Sequence, residues 1–313
     1  MNLPPQGQPL SPAARGVRLG STPTVSVVVA SCRERPLLDA CLASLLPQCR
    51  RHATELIVAR AADEVRPLEG EYPEVSFTPA PAGATIPHLR AAGMAAATGD
   101  IVMLTEDHCV VAEDWLDRML ASYREDTDVA GGSMDNGQRE RATDWAAYFS
   151  EYGFFLESTG TSQEPSITGA NVAYSRRVIG DVVALAAAGE WENIIHERLA
   201  RAGHAFQFLR TAAVYQNQNH RFRKFCRDRF VHGRDFARRR LAEEGENRRW
   251  LYLPGTAILP GILLVRVGRI AMRRHRLAFL RALPLTMTFF AAWSVGEAVG
   301  YWRGPSKPGD RDG

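Results

Sequence analysis

The 313-residue chain has little cysteine. Cys32, Cys41, Cys49, Cys109 and Cys226 are an odd number with no Cys-x-x-Cys pair. That excludes a disulfide framework and a zinc-ribbon spacing, and implies reduced thiols in a reducing compartment. No continuous apolar core precedes residue 24, so a secretory signal peptide is not expected. Internal repeats are absent. Net charge is only +3, yet basic residues, nearly all arginine, crowd between Arg221 and Arg281. The apolar share of 45% is ordinary and supports a sizeable core, in one large domain or two modest ones, without metal or disulfide staples.

Residues 1–23 are rich in Pro, Gly and Ser and read as a disordered leader. Thr24 to Ala30 is dense in β-branched residues, as in a buried strand. Pro36 suits the first turn of a helix whose apolar face is Leu37, Leu38, Cys41, Leu42, Leu45 and Leu46, with Pro47 expected to end it. Thr54 to Ala59 is a second strand. The order strand, helix, strand predicts a right-handed parallel βαβ unit. Val75 to Thr78 is a further strand, 79–87 a loop, and His88 to Ala97 a helix stopped by Gly99. Trp115, Leu116, Met119, Leu120 and Tyr123 form one more apolar stripe. Val129 to Met134 is strand-like. Residues 135–168 are aromatic and polar, suiting either a wall over a pocket or a core flap. Gly169 to Tyr174 turns into a short strand, and 191–202 is a helix stopped by Gly203.

The stretch from Gly99 to Leu116 organises the rest. The apolar run Ile101 to Leu104 leads through Thr105 into Glu106, Asp107 and His108. A buried strand ending at a solvent-facing edge has this pattern. Alternation along an extended chain points Glu106 and His108 one way and Asp107 the other. An oxygen ligand beside an imidazole can hold a divalent cation, and the carboxyl ends of such strands are where ligands bind. A plain acidic loop with a solvated His108 has the same sequence.

Several stretches together resemble the family 2 glycosyltransferases of the GT-A fold. They are Thr24 to Arg35, the Leu-rich helix after it, Ala96 to Leu104, and Trp115 nine residues after Glu106. The resemblance covers about residues 24–215. It implies an α/β nucleotide-sugar-binding sandwich with a mostly parallel central sheet, transferring sugar from a nucleotide donor with inversion and a divalent cation, Mn²⁺ or Mg²⁺. Glu106 and His108 stand where the family has Asp-x-Asp, and imidazole shifts preference from Mg²⁺ toward Mn²⁺. Donor contacts are implied at Ser31, Glu34, Arg90, Glu106 and Asp107, and acceptor contacts at Gly169, Asn171 and Trp191. Arg198 and Leu199 fix a register that puts Glu192 at the family's general base, at a helix N-terminus whose dipole favours the ionised form. Ala59-Arg60-Ala61 replaces the family's pair of Asp residues after strand 2, and Ala91 replaces an Asn between Arg90 and Gly93. His196 and His220 read as solvated or structural.

Past residue 215 the composition changes. A basic amphipathic region (216–250) is followed by two apolar stretches, Leu251 to Val267 and Leu283 to Trp302, within a membrane-associated segment (251–303), then a disordered tail (304–313). The second stretch is about the ~20 residues needed for a span and holds one charge, Glu297. Arg266, Arg269, Arg273, Arg274, Arg276 and Arg281 lie between or beside the stretches. If both crossed, these arginines would break the positive-inside bias. A first stretch in the interface keeps them on the cytoplasmic face, the second then spanning or lying flat. A soluble helical subdomain burying both faces is the alternative.

The leading expectation is an inverting, metal-dependent glycosyltransferase at the cytoplasmic face of the cell membrane. It would act on a lipid-linked or envelope glycan acceptor and sit on an anionic membrane surface. A degenerate, non-catalytic membrane scaffold is the alternative, favoured by Ala59-Arg60-Ala61. Nucleic-acid binding by the Arg/Phe region is a third option. The apolar stretches beside the arginines fit anionic lipid better, so no nucleic-acid partner is expected.

Overall fold

The computed structural model describes residues 24–157 and 166–305. The expected leader, the 306–313 part of the expected tail and residues 158–165 lie outside the described residues. In chain order the first elements are β1 (Val25–Ala30), α1 (Arg35–Arg51), β2 (Glu55–Ala61), α2 (Ala62–Glu69), β3 (Ser76–Ala80), α3 (Ile86–Ala96), β4 (Ile101–Glu106) and β5 (Cys109–Val111). Then come α4 (Trp115–Ser122), β6 (Val129–Asn136), α5 (Ala142–Glu151), β7 (Val172–Ser175), α6 (Arg176–Ala187), α7 (Glu192–Arg201) and β8 (Phe206–Gln216). The last are α8 (Phe222–Glu244), α9 (Arg249–Tyr252), α10 (Leu259–Arg274) and α11 (Arg276–Arg303).

These elements form two compact units. The first holds the described residues up to Gly137 and from Phe155 to Asn217, and the second holds Gln138–Phe154 and the described residues from Gln218 onward. The first unit is built on one sheet in the order β3-β2-β1-β4-β7-β6-β8-β5. Its first four strands are parallel, as the βαβ pattern predicts. Beyond β4 the sheet is mixed: β7 is antiparallel to β4 and β6, β8 is parallel to β6, and β5 is antiparallel to β8. Every residue of β1 and β4 is buried, which requires cover on both faces and explains their apolar runs Val27–Ala30 and Ile101–Leu104. Ala91, Met94, Val178, Val182, Ile195 and Leu199 bring α3, α6 and α7 into one core with these strands.

Pro47 does not end α1. The helix continues through it to Arg51 because its last turn is held from outside. Gln48 donates to the Ala112 carbonyl at 2.9 Å and accepts from the Leu116 N–H at 2.9 Å. Those bonds offset the one that proline removes.

The second unit has its own aromatic core. Trp145, Tyr148 and Phe149 of α5 are buried with Phe225, Val267, Ala271 and Phe289. The first part of the 135–168 aromatic stretch thus belongs to the C-terminal helices. The expected basic region is α8, and the two apolar stretches fall in α9–α10 and α11.

Candidate active site

Register sets the site. Ala30 of β1 pairs with Ala59 of β2 on one side and Glu106 of β4 on the other, so three strands reach their carboxyl ends in one row. Ser31, Arg60 and Asp107 follow immediately. Asp107 is wholly buried, and its Oδ2 accepts from Ser31 Oγ at 3.0 Å, from the Cys32 N–H at 2.8 Å and from the Arg33 N–H at 2.7 Å. One carboxylate thus collects the orphan N–H groups of the β1–α1 loop. Arg60, in the place of the family's Asp pair, closes the loop from β2. Its Nη1 donates to Ser31 Oγ at 2.5 Å and its Nη2 to the Arg33 carbonyl at 2.8 Å. Ser31 Oγ and Asp107 Oδ2 therefore hold the loop, while Asp107 Oδ1 faces the Arg33 and His108 side chains at 3.6 and 3.9 Å. Glu34, at the N-cap of α1, is exposed.

One residue past Asp107 the chain reverses, and the side chains of Glu106 and His108 come together. Glu106 Oε2 lies 3.3 Å from His108 Nδ1, and both residues are almost fully buried. Among the described residues no group of three or more His, Cys, Asp and Glu side chains is placed to hold a metal ion.

The other Glu106 oxygen faces a cation supplied by the protein. Arg90 of α3 donates from Nη2 to Glu106 Oε1 at 2.5 Å and from Nη1 to Glu192 Oε2 at 2.7 Å. Two glycines put it there. Gly93, one turn on, lets α3 press onto β1, since a Cβ would lie 2.4 Å from Val28 Cγ1. Gly169 makes room for the guanidinium itself, since a Cβ would lie 2.4 Å from Arg90 Nη1. Gly169, an implied acceptor contact, is thus the floor beneath Arg90.

Glu192 is the first residue of α7 and Trp191 its N-cap. The Glu192 side chain is 20% exposed against 6% for Glu106, so it is the carboxylate of the pair that solvent reaches. Burial works against its charge, but the Arg90 guanidinium and its hydrogen bond prevail and hold its pKa below the ordinary value. Trp191 is a half-exposed ring 5.9 Å from the Arg90 guanidinium.

Beneath α7, His196 is buried and shares a 2.8 Å hydrogen bond with the Tyr174 hydroxyl. Burial pushes the imidazole down to about 4, with Glu192 opposing and Arg90 assisting. At neutral pH the ring is therefore uncharged. Asn171, another implied acceptor contact, is fully buried. Its Nδ2 donates to the carbonyls of Ser133 and Ala212, each at 2.9 Å, and its Oδ1 accepts from Trp115 Nε1 at 3.0 Å. It stitches strands together and offers nothing to an acceptor.

Residues 26–183, half of the chain, match the family model described as Glycosyl transferase family 2. The chain belongs to glycosyl transferase family 2. Among solved structures, the family 2 chain here is similar to the mannosyltransferase PcManGT from Pyrobaculum calidifontis. Identity is 16% and the TM-score 0.50, over 93% of this chain and 90% of that one. Glucosyl-3-phosphoglycerate synthase from Mycobacterium tuberculosis matches at 15% identity and a TM-score of 0.43, over 64% of this chain and 73% of that one. No curated protein matches in sequence. The GT-A fold and the enzyme class, a glycosyltransferase, follow.

In this glycosyltransferase the sequence left Arg60 as a mere loss of acid. Its guanidinium is in fact part of the rim. The signal for that was slight: a lone arginine inside an apolar strand end, where an unpaired charge would be costly. Tyr174 gave no signal, because its partner His196 comes from another element.

Proposed function

We propose that this enzyme moves a sugar from a nucleotide-sugar donor to an acceptor hydroxyl with inversion, at the rim formed by the end of β4, α3 and the start of α7. The supporting observation is the Arg90 guanidinium held between Glu106 and Glu192. It ties the donor end of the sheet to the more exposed carboxylate of the pair. The Pyrobaculum mannosyltransferase, solved with GDP-Man and Mn²⁺, illustrates the class of donor and cation that a fold of this kind accommodates.

Glu106 and His108 suit a divalent cation. They offer one oxygen and one nitrogen donor, Oε2 and Nδ1, 3.3 Å apart. A cation held by these two residues would supply Lewis-acid stabilisation of the departing diphosphate. The protein's own groups do the rest. Asp107, Ser31 and Arg60 fix the β1–α1 loop, and Glu34 is exposed at its end for the nucleoside. The Arg90 charge keeps Glu192 ionised. Trp191 offers a flat apolar face to a sugar ring.

The acceptor oxygen attacks the anomeric carbon as the bond from that carbon to the diphosphate breaks. Glu192 takes the hydroxyl proton, and the electron pair leaves with the nucleoside diphosphate. One carboxylate suffices because no enzyme-linked sugar forms, and a single displacement inverts the centre.

The acceptor class we assign is a lipid-linked or envelope glycan at the cytoplasmic membrane face. The support is one described helix, α11, long and apolar enough to cross a membrane, and the arginines beside it. The test is a panel of nucleotide-sugars given to the full chain with Mn²⁺, with Mg²⁺ and with chelator. Sugar release or transfer from one donor, dependent on the ion, is expected. Failure of every donor either to bind or to turn over would leave a scaffold and sink the proposal.

A further inference from the structure

The sequence allows α11 either to cross the bilayer or to lie along it, and the second unit's own packing distinguishes the two. A helix that crosses alone shows lipid on every side. α11 does not, because its second half is sealed against α8. A Cβ on Gly296 would come within 2.0 Å of the Phe230 carbonyl oxygen, and one on Gly233 within 2.2 Å of the Trp293 carbonyl oxygen. Along the same seam Phe225 meets Phe289 edge-on at 4.6 Å, and the Arg229 guanidinium lies 4.9 Å from the Trp293 ring. Tyr301, near the end of α11, is buried with Ala237 and Leu241 of α8.

α8 is no membrane helix. It carries the ion pairs Lys224–Asp228 and Arg240–Glu244 on its surface. Each charge taken to the bilayer centre costs roughly 2.5–3.5 kcal/mol on insertion scales. α11 therefore cannot cross the hydrocarbon with this seam intact.

Its outer face is a different matter. Leu277, Leu280, Val295 and Trp302 are 70%, 47%, 56% and 68% exposed. At about 100° per residue they fall within one narrow stripe of the helix. On α10, Ile262 and Val265 are more than half exposed, and Arg269 and Arg273 continue the same row. The 246–257 segment and α10 meet at a bend of 61°, so the first apolar stretch is not a straight span either.

We propose that this segment is a monotopic anchor: α10 and α11 lie in the plane of an anionic lipid surface, their exposed apolar rows in the acyl boundary and the adjoining arginines on lipid phosphates, and α11 does not cross. Interfacial helices of this build bind through apolar area plus attraction to anionic headgroups. The inference rests on the membrane attachment proposed above and specifies its form.

The experiment adds the full chain, with a C-terminal epitope tag, to sealed vesicles. One set is phosphatidylcholine and the other phosphatidylcholine with about 30% phosphatidylglycerol. Flotation with the anionic vesicles, release by alkaline carbonate, and cleavage of the tag by external protease are expected. Leu277→Glu with Leu280→Glu should lower partitioning about a hundredfold, with the thermal transition unchanged. Should that variant melt early, Arg269→Gln with Arg273→Gln should instead lose the preference for anionic vesicles. A protected tag and carbonate-resistant protein would show that α11 crosses, overturning the in-plane arrangement but leaving membrane attachment standing. No flotation with either vesicle, together with a dimer by light scattering, would overturn both and assign the apolar rows to a second copy.

Discussion

Replacing Arg90 by Met removes the one cation that two carboxylates share. The methionine fills much of the arginine stem but leaves Glu106 and Glu192 without the donors now at 2.5 and 2.7 Å. Arg90 is only 5% exposed, so little solvent screens the bridge. Removing one member of a buried ion pair costs about 3–5 kcal/mol. That is a large part of the roughly 5–15 kcal/mol that holds a domain together. The loss also depends on pH, with a sign set by Glu192. Its native pKa lies below the ordinary value, against the pull of burial. The interaction with Arg90 therefore stabilises the fold above the ordinary carboxylate range and fades as pH falls through the depressed native value. In Arg90→Met, burial loses its main opponent and Glu192 protonates more readily than in the native bridge. The deficit should be largest at about pH 8 and shrink toward about pH 4. Urea unfolding followed by circular dichroism measures it in wild type, Arg90→Met and Arg90→Met with Glu192→Gln. The double variant should regain about 1–3 kcal/mol at neutral pH, since no buried charge is left at Glu192. A deficit under about 1 kcal/mol, or one equal at both ends of the pH range, would refute the buried bridge.

Gly169→Ala should displace the guanidinium, because the new methyl would lie 2.4 Å from Nη1. A stability loss of about 1–3 kcal/mol is expected, with a larger loss in kcat than in acceptor KM. A normal melt with only KM raised would restore the implied acceptor contact. Asn171→Ala strands two carbonyls and the Trp115 N–H in the interior, and should cost about 2–4 kcal/mol in urea unfolding without altering acceptor KM. His196 has a native pKa of about 4 against an ordinary 6.5. Between those values the unfolded chain binds the extra proton, so stability should fall by about 3 kcal/mol as pH drops through the window. His196→Gln should flatten that part of the pH profile, and an unchanged slope would show that another group carries it.

The parts of the fold that could be read from sequence are those written in local pattern. β1 and β4 carry the apolar runs Val27–Ala30 and Ile101–Leu104 because both faces are covered, and α3 shows itself by its alanine-rich composition. Glu106 and His108 meet as the pattern suggested, but Asp107 does not stand apart, because the turn after β4 brings its Oδ1 to 3.9 Å from His108 Nδ1. What escaped depends on partners far along the chain. β5 is three residues long and exists only through β8. β8 alternates poorly, since its pairing with β6 shifts register between Gly132 and Met134. Pro47 looked like a stop because the bonds that extend α1 come from Ala112 and Leu116. Asn171 looked like an acceptor residue because a polar turn does not disclose which side chains will be buried beneath it. The Arg90 bridge lay in plain sight as three residues named separately. Nothing local says that 90, 106 and 192 meet.

The central claim is that Glu192 accepts the acceptor's proton while the rim of β4 holds the donor. Glu192→Gln, assayed by calorimetric titration with nucleotide-sugar and Mn²⁺ and by transfer rate, separates the two roles. Donor affinity within a few-fold of wild type, with transfer slowed about 10²–10⁴-fold, is the predicted result. Transfer at the wild-type rate would contradict the claim, and so would donor binding lost in step with turnover.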